Sequence, residues 1–163
     1  RFHQGKWTSN YLIISNQGEI LLDYARMSPG WKIHDADPQL YKEGTQSGIF
    51  RYHRKQIGVL LCGDGWTDEV VSALVSCQPD LVFWPVYVCF SLAEWKQEQA
   101  RAYALQAASF AKRVVLVNNL DAPGVEEPAL GGAFDIQNGQ IQASLSWAQE
   151  GCLTLYEMGE LLV

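Results

Sequence analysis

Ile57-Gly58-Val59-Leu60-Leu61-Cys62-Gly63-Asp64-Gly65-Trp66-Thr67-Asp68-Glu69 is the stretch that decides how the chain is read. Its opening residues form a short, branched apolar run, the pattern of a buried strand. The run stops at a cysteine set among glycines, and a helix-start signal follows. Thr67 is placed to cap a helix, with Asp68 and Glu69 in its first turn, where the backbone dipole favours negative charge. The helix is expected from Asp68 to about Cys77, with Val70, Val71, Leu74 and Val75 as its apolar face. Cys62 then lies on a sharp turn at the carboxyl end of a strand, facing a helix N-terminus. In open α/β sheets that crevice is where ligands bind. A thiolate there can attack carbonyl carbon. Gly63 and Gly65 allow close backbone approach, and the Gly63 N–H is placed to bind an oxyanion.

Towards the N-terminus, Gly48 to Tyr52 and Ile57 to Leu61 read as a strand pair around Arg54-Lys55-Gln56. Before them, Tyr11 to Ser15 and Ile20 to Tyr24 form a hairpin across Asn16-Gln17-Gly18-Glu19. Arg1 to Asn10 gives no clear element, and Asp35 to Ser47, with Pro38 and Gly44, reads as a loop. Towards the C-terminus, Leu81 to Val86 is almost wholly apolar, as suits a strand buried on both faces, with Pro85 near its end. Ser91 can cap a helix over Leu92 to Lys112. Arg113 to Val117 is another buried strand. Gly131 to Ile136 and Ile141 to Ser146 pair across Gln137-Asn138-Gly139, and Cys152 to Tyr156 gives a last short strand. The order of elements predicts a mixed sheet with helices packed on it, an α/β layered domain.

The 163 residues suffice for one domain with a real core. A net charge of −6 argues against nucleic acid as a main partner. The one basic cluster, Arg51, Arg54 and Lys55, reads as a solvated strand end. No apolar run reaches the ~20 residues needed to span a bilayer, so no membrane partner is expected. The four cysteines, Cys62, Cys77, Cys89 and Cys152, have no CxxC pair and no zinc spacing. Reduced thiols in a cytoplasmic protein, with no metal and no cofactor, are the expectation.

None of His3, His34 and His53 has a context that marks it as a base for Cys62. Lys32 precedes Cys62 by thirty residues and is the candidate cation for a developing oxyanion. Trp31-Lys32-Ile33-His34, then Tyr41 and Gly44, then Leu61-Cys62-Gly63-Asp64 and Glu69 closely resemble the nitrilase superfamily of carbon–nitrogen hydrolases. Asp80 to Pro85 is similar to that family's strand ending in proline, and Val115-Leu116-Val117-Asn118 to its strand ending in asparagine. Gly131-Gly132-Ala133 with Asp135 and Asn138-Gly139 is similar to its glycine–serine strand and hairpin, with Ala133 where serine is usual. The resemblance runs from about Tyr11 to Val163.

It implies an αββα sandwich and a Glu-Lys-Cys triad acting on non-peptide C–N bonds of amides, carbamoyl compounds or nitriles. By position Cys62 matches the nucleophile, Lys32 the lysine and Gly63 the oxyanion N–H. The cysteine forms a thioester that water releases as an acid. The family's general-base glutamate lies well upstream of its lysine, and Glu19 falls instead inside a hairpin. The expectation is a single domain over residues 1–163 that lacks its N-terminal third and, with it, that base. A supporting glutamate often follows the lysine; Asp37 or Gln39 stands in that neighbourhood, and Glu43 and Glu69 are the supporting candidates. Trp66 and Tyr87 are expected at the substrate pocket, and core packing is as good a reading of either. No arginine stands out as a carboxylate binder. The expected partners are a small amide or carbamoyl substrate and further copies of the chain in a homo-oligomer. A nitrilase-like scaffold that assembles but no longer catalyses is the alternative.

Overall fold

The computed structural model describes residues 1–3, 5–32, 36–145, 156–157 and 160–161. Strands β1 (Phe2–His3) and β2 (Lys6–Trp7) form a short hairpin where no element was expected. β3 (Asn10–Ile14) and β4 (Ile20–Ala25) are the first predicted hairpin, antiparallel with Tyr11 opposite Tyr24. Gly18 supplies the positive φ of its turn, at 85°. β5 (Gly48–Tyr52) and β6 (Lys55–Val59) are the second, but their turn closes earlier than predicted. His53 takes a φ of 50° there, so Lys55 and Gln56 join the strand instead of the turn.

β7 (Leu81–Val86) and β8 (Arg113–Asn118) match their predicted spans closely. β9 (Ala133–Gln137) and β10 (Gln140–Leu145) are joined at Asn138-Gly139, both at positive φ, as a tight two-residue turn needs. β11 (Tyr156–Glu157) pairs with β12 (Glu160–Leu161). Most of the predicted strand Cys152 to Tyr156 lies outside the described residues.

Six strands form one sheet in the order β10-β9-β8-β7-β6-β5. Its centre, β6 to β8, is parallel, and its flanks are antiparallel. Two helical connections cover one face. Helix α1 (Asp68–Val75) buries Val70 and Leu74, while Val71 is half-buried and Val75 exposed, and it ends two residues short of the predicted Cys77. Thr67 does not cap it with its side chain: the hydroxyl donates to the Gly63 carbonyl at 2.9 Å and is thereby spent on the preceding turn.

Ser91 does cap, its hydroxyl oxygen accepting from the Glu94 N–H at 3.3 Å. The single predicted helix is three pieces: α2 (Leu92–Glu94), a π turn over Trp95–Gln99 and α3 (Ala100–Ala108). The π turn lies where Trp95 enters the core, with its ring 4.7 Å from that of Phe134. α3 stops before Lys112 because Ser109 turns its hydroxyl back to the Gln106 carbonyl and Phe110 folds into the core. No helix among the described residues is long and apolar enough to cross a membrane.

Alternate strand residues meet these helices. Val82, Trp84, Val86, Val114, Leu116, Phe134 and Ile136 join Val70, Leu74, Tyr103 and Ala107 in one cluster. The intervening positions face away, and there Arg113 holds Asp135 through two bonds of 2.9 Å. Trp84 is fully buried at the centre, stacked on Tyr103 with ring centres 5.2 Å apart. A Cβ added at Gly65 would sit 2.6 Å from the Trp84 ring. Gly65→Ala should therefore cost about 1–3 kcal/mol, read as a lowered denaturation midpoint. An unchanged midpoint would mean that the indole moves freely, against its complete burial.

Candidate active site

The strand run through β6 continues past Val59, since the Leu60 N–H donates to the Phe83 carbonyl at 3.0 Å. It then breaks sharply. Cys62 takes a φ of 53° and opens a 3₁₀ turn over Cys62–Trp66 that leads through Thr67 into α1. A left-handed, non-glycine residue is uncommon, and it persists only where the surroundings over-determine it. Three sets of contacts do so here. The Trp84 indole N–H donates to the Cys62 carbonyl at 2.9 Å. The Gln106 amide donates to the Gly65 carbonyl at 2.5 Å.

The third set converges on Asp64, which has no exposed surface. Its carboxylate accepts from the Tyr24 hydroxyl and the Ser28 N–H at 2.7 Å each. It also accepts from the Leu61 N–H at 3.0 Å and the Met27 N–H at 3.2 Å. Burial, and then the Asp64 charge, push the Tyr24 phenol far above its ordinary range, so it stays protonated and donates. One carboxylate thus ties the β4 end to the Cys62 turn.

Cys62 opens on a cleft of about 510 Å³. Its walls come from Ser9 and Asn10, from Arg26, Gly30 and Trp31, from Leu61, and from Pro85, Val86, Tyr87 and Asn119. The Cys62 Sγ lies 4.0 Å from the Tyr87 carbonyl oxygen. The Tyr87 hydroxyl donates to Asp121 at 2.7 Å, and that bond raises the phenol to about 12 while holding Asp121 below its usual range. The carboxyl ends of β7 and β8 are braced together. Asn118, buried, accepts from the Val88 N–H at 3.0 Å and donates to the Val88 carbonyl at 3.1 Å.

The predicted site residues separate. Cys62 and Tyr87 share the cleft, and Gly63 follows Cys62 at the start of the turn, where helical geometry leaves an N–H without an intrahelical acceptor. Trp66 is not part of the wall. It packs against Tyr103 and Trp84, with ring centres 5.2 and 5.8 Å away, on the helical side of the sheet. Glu69 is exposed on the first turn of α1 and does not line the cleft. Lys32 does not line it either, and its ammonium forms an ion pair with Glu43. Residues 33–35, including His34, lie outside the described residues.

Two residues that the sequence did not single out hold the centre of the site, Asp64 and Arg26. The signal for Arg26 was its spacing of two from Tyr24, which puts a charge on the buried side of the β4 run. Asp64 was quoted within the nucleophile turn, but an acid between two glycines reads as a turn residue.

Comparison with family models gives no match, and comparison with curated sequences gives none. Solved structures do match. The carbon–nitrogen hydrolase from Helicobacter pylori G27 is similar at a TM-score of 0.68 and 17% identity, over 91% of this chain and 56% of that one. The glutamine-dependent NAD+ synthetase from Acinetobacter baumannii matches at 0.64 and 18%, over 87% of this chain and 29% of that one. A mutant of the amidase from Nesterenkonia sp. AN1, with the acetamide moiety of fluoroacetamide added covalently at its active-site cysteine, matches at 0.60 and 19%. That match covers 83% of this chain and 50% of the amidase. The chain therefore spans between about a third and just over half of the length of these proteins, and its likeness to them is one of fold. The sheet with helices on one face is an α/β layer pair of the nitrilase type, and the chain carries the fold of the carbon–nitrogen hydrolases and nitrilase-superfamily amidases.

Proposed function

We propose that the chain takes part in hydrolysis of a non-peptide C–N bond in a small amide, carbamoyl compound or nitrile, through a thioester on Cys62. The observation that carries this is the strained Cys62 turn, held from three sides at the carboxyl end of β6 and open to a cleft of substrate size. The covalent chemistry named for the Nesterenkonia amidase supports the same role for Cys62. The Gly63 N–H is the proposed oxyanion donor, and Tyr87 a wall against which the substrate rests. The Lys32–Glu43 pair, next to the edge-to-face rings of Trp31 and Tyr41, is proposed to brace the wall at Trp31.

The alternative, a scaffold without catalysis, draws on one feature. Among the described residues, the cleft wall holds no carboxylate and no imidazole to move a proton. General-base assistance is typically worth 10²–10⁴ in rate, so the base is proposed to stand outside that wall. The test is ammonia release from a panel of small amides, carbamoyl compounds and nitriles, with intact-mass detection of any acyl adduct. Slow adduct formation on Cys62 with little steady release is expected of the chain by itself. Failure of every panel member to acylate Cys62 would overturn the thioester reading in favour of the scaffold.

A further inference from the structure

We propose that Arg26, and not Lys32, is the cation that meets the negative oxygen formed when Cys62 attacks. This rests on Cys62 being the nucleophile. The sequence offered Lys32 because it is the lysine of the resemblance, but the fold separates charge from position. The Lys32 ammonium is neutralised by Glu43 and stands outside the cleft wall. The Arg26 side chain is part of that wall, only 7% of the residue being exposed, and among the described residues it has no carboxylate partner. A buried guanidinium keeps its charge, since arginine is effectively always protonated in proteins.

Its placement is specific. The Arg26 Nε donates to the Ser28 hydroxyl at 2.7 Å, and the Ser28 N–H is held by Asp64, two residues beyond Cys62. The guanidinium is therefore fixed to the same turn as the sulfur. Its Nη2 reaches the residue after the nucleophile so closely that a Cβ on Gly63 would overlap it. A Cβ on Gly30, which also lines the cleft, would lie 3.6 Å from that same atom. Two glycines thus leave space around one charged nitrogen at the place where the oxyanion donor is proposed.

The step itself is simple. The Cys62 thiolate, its proton already lost to solvent, bonds through Sγ to the carbonyl carbon. The C=O π pair moves onto oxygen, and the negative charge passes from sulfur to that oxygen. The Gly63 N–H and the Arg26 guanidinium then face it together. Arginine cannot hand on a proton as lysine can, so this cation stabilises charge without serving as an acid.

The charge of the cleft can be read without turnover. Folded protein is alkylated with iodoacetate or with iodoacetamide, and rates at Cys62 and at the exposed Cys89 are followed by peptide mass spectrometry. The ratio of the anionic to the neutral reagent should be about fivefold or more higher at Cys62 than at Cys89, as one adjacent positive charge would give even in a watery site. Arg26→Gln should bring the Cys62 ratio down to that of Cys89, Arg26→Lys should keep most of it, and Lys32→Gln should leave it in place. A Cys62 ratio no higher than that of Cys89 overturns the proposal, and so does loss of the preference in Lys32→Gln but not in Arg26→Gln. If Arg26→Gln fails to fold, the unmodified chain and Arg26→Lys decide. A Cys62 inert to both reagents would instead overturn its assignment as the nucleophile.

Discussion

Replacing Cys62 by alanine should abolish covalent capture of amide reagents and lower any C–N hydrolysis that this chain supports by about 10⁴-fold or more. The size of the effect follows from the mechanism: without sulfur there is no covalent intermediate, and the hydrogen-bonded turn can then only bind. Cys89→Ala is the matched control, since that thiol is exposed and outside the cleft wall. In the unmodified chain, a limiting amount of iodoacetamide should label Cys62 ahead of Cys77, whose sulfur, just beyond the α1 end, is engaged with the Ala73 carbonyl at 3.5 Å. Turnover within tenfold of normal in Cys62→Ala would remove this residue from the chemistry.

Asp64→Ala should be the most damaging single change to the fold near the site. It strands the Tyr24 hydroxyl and three backbone N–H groups, at Met27, Ser28 and Leu61, in surroundings closed to water. Each unpaired buried donor costs about 1–3 kcal/mol, and partial relaxation brings the expected total to about 3–5 kcal/mol. For a chain of this size that is a fall in the thermal midpoint of about 10–20 °C. Asp64→Asn keeps the shape but turns one acceptor into a donor, and should recover only part of the loss. A midpoint within about 2 °C of the parent for Asp64→Ala would show that solvent replaces the carboxylate, and that the turn does not depend on it.

The parallel centre of the sheet was legible because its strands are nearly continuous apolar runs, and no helix period competes with Leu81 to Val86 or Arg113 to Val117. Cys62 was legible for the same local reason: a strand ends, glycines follow and a helix begins. Helix α3 was overextended because alanine and glutamine carry a helical pattern whatever lies beyond, while its end is set by Phe110 turning into a core that only the assembled sheet provides. The place of the basic residues depends on the assembled fold for a related reason. Resemblance and spacing favoured Lys32, but which of two basic residues faces a cleft depends on where Asp64 anchors the chain at Ser28, some 36 residues away. Trp66 stayed open between pocket and core in the sequence because adjacency to a nucleophile does not fix which side of a sheet a ring faces, and its ring packs on Tyr103 and Trp84.

Among the described residues the β3–β4 hairpin pairs only with itself and is not a member of the six-stranded sheet. It nevertheless delivers Tyr24, Arg26 and Ser28 to the Cys62 turn through contacts that close loops of about forty residues. Such loops are costly to close and form after the local pairings that need no long closure. The sheet and its helices can therefore stand complete while the cleft is still open on one side. In the native protein the same hierarchy runs backwards: the segment that the Asp64 carboxylate holds at Met27 and Ser28 is expected to loosen before the sheet opens. Backbone amides of residues 24–28 should then exchange with solvent through partial openings, while those of β7 and β8 wait for the whole molecule to unfold.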